Sequence, residues 1–313
     1  MGRNDEALTE LERGLAQLPE GPSRLRVTAL GNLGNIYGVR GEVERSLSHY
    51  QMVSAIAEQL GDYWLLTENW INLGIELDMR GRWPDAQRHF QQALAQAERL
   101  GSLNQQARAA LGLGNTLNKM GDDAAAEEQL SRCLGIARQK GWQSEQVYAL
   151  VSLAALRVQS GDSAAAGPWL AEAERLAEAT GVREPMPELR YTLALWHLGF
   201  GRPEQALAEA EQAVNLAREL EAHVYAGIGL RVAGQAQAAL GQVSQAVAAF
   251  ERSVEILAGR DPYEAARTKL MWGATLTDSG AGEKGAALLR ESRTAFEQLG
   301  ARRELAIADR RLA

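Results

Sequence analysis

A chain of 313 residues, 46% of them hydrophobic and with a formal net charge of −7, has the apolar content to fold and the length for two globular domains. Lysine and arginine are not gathered into a strip, which argues against direct nucleic-acid binding, and no apolar run reaches membrane-spanning length and no signal peptide opens the chain. The one cysteine, Cys133, excludes an internal disulfide, fits a reducing cytoplasmic setting and reads as a small helical core residue.

Length is overridden by periodicity. Gly21, Gly41, Gly61, Gly81, Gly101, Gly121, Gly141, Gly161, Gly181 and Gly201 keep one register, to which Gly241 returns. Every second beat carries similar sequence logic, so the unit is a pair of helices joined by turns, and units of this size stack as a solenoid. In chain order, residues 3–20 read as a second helix without its first. Full repeats are expected at 22–60, 62–100, 102–140, 142–180, 182–220, 222–259 and 261–299, with a charged capping helix at 301–313. The unpaired opening helix predicts that the sequence belongs to a longer protein.

Within a repeat, Trp70, Leu73, Gly74 and Leu77 fall at helical spacing; Gly81 ends that helix, and Ala86, Phe90 and Ala93 define the next. One repeat earlier the same phase gives Leu33, Gly34, Tyr37, Ser46 and Tyr50; one later it gives Leu113, Gly114, Leu117, Ala126 and Leu130. Glycine inside a helix costs up to about 1 kcal/mol in propensity, so its recurrence at one phase predicts close approach of a neighbouring helix. The alanine of the second helix is expected to face that gap. Turn glycines supply the left-handed backbone that ends a helix. Asp261 should cap a helix opened by Pro262, and Pro84 and Pro203 should open second helices. Gly167-Pro168 interrupts one second helix, and Pro185 and Pro187 should shorten the following first helix. This junction reads as a local defect, with a hinge between residues 160 and 190 as the alternative.

The string W-x2-L-G-x2-L, then Gly, then A-x3-F-x2-A over residues 70–93, resembles the tetratricopeptide repeat (TPR), in a form longer than the usual thirty-four residues. It is similar to the long-repeat subclass of kinesin light chains, Pins/LGN adaptors, Rap-type peptide sensors and the sensor arms of MalT-like regulatory ATPases. The resemblance implies an all-α right-handed superhelix of about seven helical hairpins plus end helices. Ser46, Gly285, Arg157 and His197 depart from the family pattern.

Catalytic signatures are not found: no P-loop string, no HExxH, no nucleophile elbow. His49 and His89 lie one repeat apart but lack a carboxylate partner, so no metal, cofactor or catalytic residue is expected. The resemblance implies instead that first helices line a concave face. That rule selects Asn32, Asn35, Asn72, Arg108, Asn115 and Asn118 as a peptide-binding groove. Asparagine is a poor helix-interior residue, yet it offers both a donor and an acceptor to the backbone of an extended peptide. Such a ladder either grips a peptide or simply solvates the surface or bonds its neighbours; Arg108 would select an acidic group. Farther along, Tyr191, Leu195, Leu198, Val232, Leu270 and Met271 are expected to form an apolar groove, suited to an amphipathic helix, an apolar ligand or a second copy of the chain. A tighter coil would bury them instead. The leading expectation is a non-enzymatic scaffold for a protein or peptide segment. The alternative is a sensing or assembly arm of a larger cytoplasmic regulator, contacting domains of its own parent protein.

Overall fold

The computed structural model describes residues 3–313, which form sixteen α-helices and, among the described residues, no strand. The chain separates into two compact units, Met1–Leu113 and Gly114–Ala313. The first holds α1 (Arg3–Gln17), α2 (Arg24–Arg40), α3 (Val43–Gln59), α4 (Tyr63–Met79), α5 (Trp83–Arg99) and the start of α6 (Leu103–Met120). The second holds the end of α6, then α7 (Asp123–Lys140), α8 (Gln143–Gln159), α9 (Ser163–Thr180), α10 (Met186–Gly199), α11 (Pro203–Glu219) and α12 (His223–Ala239). It is completed by α13 (Val243–Leu257), α14 (Pro262–Asp278), α15 (Gly282–Leu299) and α16 (Arg302–Leu312).

Neighbouring helices pack as hairpins, α2 on α3, α4 on α5, α8 on α9 and onward to α14 on α15. In the second unit α10 also touches α8 and α12, and α14 touches α12 and α16, so the even-numbered helices make one continuous inner layer. A helical glycine recurs where the paired helix passes closest, with Ala154 and Ala194 at the same phase in α8 and α10. A Cβ placed on Gly34 would meet the Tyr50 ring at 3.1 Å, on Gly74 the Phe90 ring at 2.7 Å, on Gly114 the Leu130 side chain at 2.7 Å and on Gly234 the Phe250 ring at 2.7 Å. The large residue sixteen positions on thus fills the notch, and at Gly114 the second-helix Ala126 also borders it, its carbonyl oxygen 3.1 Å from the placed Cβ. Burial of Phe90 and Phe250 to zero exposure shows the fit.

The turn glycines adopt positive φ from Gly21 to Gly201 and again at Gly241. At the one missing beat, Glu221 takes the left-handed conformation itself, at φ 55°. Asp62, Asp122, Asp162 and Asp261 cap the helices that follow them, the Asp261 carboxylate accepting from the Glu264 amide at 2.9 Å with Pro262 opening α14. α9 runs through Pro168 without a break, while α10 has 14 residues against 17 in α8 and α12. Cys133 is buried, and burial pushes its thiol up to about 12, so it is unreactive.

Two expected groove residues lie elsewhere. Val232 and Leu270 are 0% and 1% exposed. Val232 belongs to the core between α10, α11 and α12, and Tyr191, Leu195 and Leu198 pack half-buried against that core. The coil closes on these side chains because apolar surface is more stable against its neighbour than in water. Val232 and Leu270 therefore line no open surface, and Met271 is half-buried.

Candidate functional site

In the first unit, Asn32 and Asn35 are exposed on α2, and Asn72 is half-buried on α4. Asn35 keeps only part of its bonding capacity, because its Oδ1 accepts from the Tyr50 hydroxyl at 2.5 Å. Arg108 is already ion-paired with Glu68, one repeat back. Asn69, not among the expected groove residues, is 3% exposed and donates to the Tyr50 carbonyl at 2.8 Å and the Ser54 hydroxyl at 2.7 Å, which joins α4 to α3.

The end of α6 lies in the second unit. Asn115 is half-buried there, and Asn118 is buried, its Oδ1 accepting from the Arg303 guanidinium of α16 at 3.2 Å. The inner layer of this unit carries a polar cluster. Glu264 of α14 accepts from Arg231 of α12 at 2.8 Å and from Arg267 at 3.0 Å. Tyr263 donates to Glu304 of α16 at 2.7 Å. Tyr225 of α12 donates to Glu188 of α10 at 3.4 Å, and the Tyr191 and Tyr225 rings lie 6.2 Å apart. Lys119 of α6 places its ammonium 6.0 Å from the Tyr263 ring centre.

The electrostatics separate two kinds of carboxylate. Burial pushes Glu264 up, but Arg267 and Arg231 pull it down harder, to about 2. Burial and the Arg267 charge lower Arg231 by more than Glu264 returns, whereas burial of Arg267 is outweighed by Glu264, Tyr263 and Glu304 together, which leave it above its ordinary value. Glu188 has no comparable partner: burial raises it to about 7, against the opposing effect of hydrogen bonds from Tyr225 and Tyr191 and the Lys119 charge. Glu188, Tyr191 and Tyr225 nevertheless keep some solvent contact, as half-buried residues. Groups that touch water and still bear a heavy desolvation cost lie at the edge of the packed inner layer, not in a sealed core. This edge offers a carboxyl, phenol hydroxyls and aromatic faces, groups able to bond a polar or charged guest. Among the described residues no three metal-ligating side chains converge, and no helix is long and apolar enough to cross a membrane.

Of these residues only Tyr191 had been selected from the sequence. The repeat could have found others. Arg108, Tyr148 and Glu188 stand at one phase in successive repeats, as do Tyr191 and Arg231. Choosing Val232 in place of Arg231 stepped one residue off that phase, and a one-residue step in a helix turns a side chain by about 100°.

The match to the MalT-like TPR region covers residues 1–199, and a further match, to anaphase-promoting complex subunit 5, covers residues 189–230. No curated protein matches the chain. Among solved structures, a Rap protein complexed with competence and sporulation factor shares 13% identity over 99% of this chain and 91% of its own, with a TM-score of 0.66. Aspartyl phosphate phosphatase F from Bacillus subtilis shares 12% over 81% of this chain and 68% of its own, with a TM-score of 0.67. The signal-transduction ATPase with a TPR sensor from Pyrococcus horikoshii shares 15% over 93% of this chain and 46% of its own, at 0.51. At these identities the likeness is one of fold, and it agrees with the stacked hairpins and the notch glycines. The family match spans more than half of the chain, and the chain belongs to the MalT-like TPR family.

Proposed function

We propose that the chain is a non-enzymatic binding arm that takes an extended peptide or protein segment along its inner helices. The observation that carries this reading is the half-solvated trio Glu188, Tyr191 and Tyr225, polar groups set on the inner layer where stability alone would favour apolar packing. In the first unit, taken by itself, Asn32, Asn35 and Asn72 offer donors and acceptors to a peptide backbone, and within the second unit Asn115 does the same. The Rap protein bound to competence and sporulation factor supports the reading by its shared fold.

A linear peptide selected from a random library against the whole chain tests it. Glu188→Ala with Tyr191→Ala should weaken that peptide by about tenfold or more in calorimetry, the equivalent of about 1.4 kcal/mol. The reading fails if this variant and the triple Asn35→Ala, Asn72→Ala, Asn115→Ala variant both bind as the unaltered chain does.

The family match also favours a sensing arm of a larger cytoplasmic regulator, in which the occupied groove controls assembly with the rest of the parent protein. An NTPase or helix-turn-helix module beside this segment in the parent gene supports that reading, and a free-standing gene removes it.

A further inference from the structure

Arg303, near the start of α16, joins three helices more than a hundred residues upstream. Its Nη1 donates to Gln159 Oε1 at the end of α8 at 2.9 Å and to Asn118 Oδ1 near the end of α6 at 3.2 Å. Its Nη2 pairs with the Asp123 carboxylate at the first residue of α7. Three acceptors, one of them ionised, thus meet one planar cation whose donors lie in a fixed fork. The repeat does not require them: one and two repeats on from Asn118 stand Val158 and Leu198, and the same steps from Asp123 and Gln159 reach Ser163 and Pro203, and Gly199 and Ala239.

Nor does α16 need this clasp to stay folded. Ala301, Glu304 and Ala308 are buried against its own end of the unit. Tyr263 holds Glu304, Arg293 holds Asp309 at 2.7 Å, and Arg311 holds Asp278 at 3.0 Å. The Arg303 contact is a separate, long-range closure, and all its members stay partly reachable from solvent or lie at helix ends: the Asp123 side chain is 43% exposed.

We propose that Asn118, Asp123 and Gln159 form an arginine-reading site, and that Arg303 is its built-in occupant, so that an arginine-bearing ligand takes the site by displacing the α16 clasp. The inference rests on the peptide-binding reading above for the identity of its natural guest, and it gives that guest one required side chain. Asn118 then serves a guanidinium rather than a peptide backbone.

The test uses the whole chain with N-acetyl-arginine amide as the probe, titrated to millimolar concentration by ligand-observed NMR and calorimetry. Arg303→Ala should bind the probe at least about tenfold more tightly than the unaltered chain, in which the occupant competes. N-acetyl-lysine amide should bind neither form, since a point cation cannot meet three fixed acceptors. Adding Asp123→Asn to Arg303→Ala should abolish the gain, while circular dichroism shows that helix content is kept. The proposal is overturned if folded Arg303→Ala takes the probe no better than the unaltered chain, or takes the lysine probe equally well. Such a failure leaves the peptide reading standing, because that reading is measured at Glu188 and Tyr191; the reverse pattern of results would separate the two in the other direction.

Discussion

The two units build the same hairpin and differ in where they put exceptions to it. Leu25, Tyr63, Trp64 and Ile75 of the first unit are exposed at 44% or more, whereas Arg231, Glu264 and Glu304 of the second are buried at 8% exposure or less. The notches do not distinguish them, since Gly74 faces Phe90 in one as Gly234 faces Phe250 in the other. Both units bury an ion pair, but that of the first is local: Arg80 meets Glu76 one turn away and the Gly38 carbonyl on the preceding inner helix. Glu264 joins α12 to α14 instead. The shared hairpin therefore secures the fold, and the inner-face positions are free to specialise.

The contrast is broken most severely at Glu264. Glu264→Ala leaves buried Arg231 and half-buried Arg267 without their counter-charge, which costs about 3–5 kcal/mol. Arg108→Ala in the first unit, removing a half-exposed pair with Glu68, costs at most about 1 kcal/mol. Urea unfolding followed by hydrogen exchange should place the larger loss in α12 and α14. Equal losses at the two sites would mean that the buried cluster carries no special weight. Because Glu264 is held low, its contribution is present above the unfolded value near 4.5 and fades as pH falls toward about 2.

Next in size are the notches. On Gly273 a Cβ would meet the Gly285 carbonyl oxygen at 2.9 Å, a backbone atom that cannot turn aside. On Gly34 it would meet only the Tyr50 ring at 3.1 Å. Gly273→Ala should cost about 1–3 kcal/mol, the usual range for overpacking, and Gly34→Ala less. Thermal denaturation of the two variants ranks them, and the opposite ranking would show that the aromatic notch is the stiffer one.

Glu188 should give a smaller effect with the reverse pH sense. Burial raises its carboxyl to about 7, so the folded state favours the protonated form. Stability from this group is fully present below the unfolded value near 4.5 and is lost as pH rises through about 7. Glu188→Gln should stabilise the chain at pH 8, by about 1 kcal/mol given the solvent that reaches the site, and change little at pH 5. Melting temperatures at the two pH values decide it. A stabilisation equal at both would show that Glu188 does not change its protonation state between them.

The hairpins were legible because most use a glycine turn and all set glycine or alanine at the notch phase, and such needs recur at fixed intervals. Asp261-Pro262 and the shortened α10 were legible from the local chemistry of proline and carboxylate caps. The site was legible only in part. A polar residue at an inner phase shows that a side chain faces inward, but not what it meets. Asn35 meets Tyr50 of its own hairpin, and Arg108 meets Glu68 of the preceding repeat. Asn118 meets Arg303, 185 residues away, a contact that depends on how far the coil of the second unit has closed. That closure is a sum of small rotations between repeats, and no short segment of sequence encodes it.

The smallest expected effect sharpens the comparison at the turns. Every register turn of the first unit from Gly21 to Gly101 is glycine, but the second unit keeps the same left-handed backbone at Glu221, φ 55°. For a residue with a Cβ that conformation costs roughly 1–2 kcal/mol, while glycine gives back part of the difference through its freer unfolded chain. Glu221→Gly should therefore raise stability by about 0.5–1 kcal/mol. Gly241→Ala, the reverse change one repeat half along, should lower it by a similar amount. If Glu221→Gly instead destabilises the chain, the carboxylate is contributing more at this helix junction than the backbone loses. Hydrogen exchange across α11 and α12 would then show faster opening in the glycine variant.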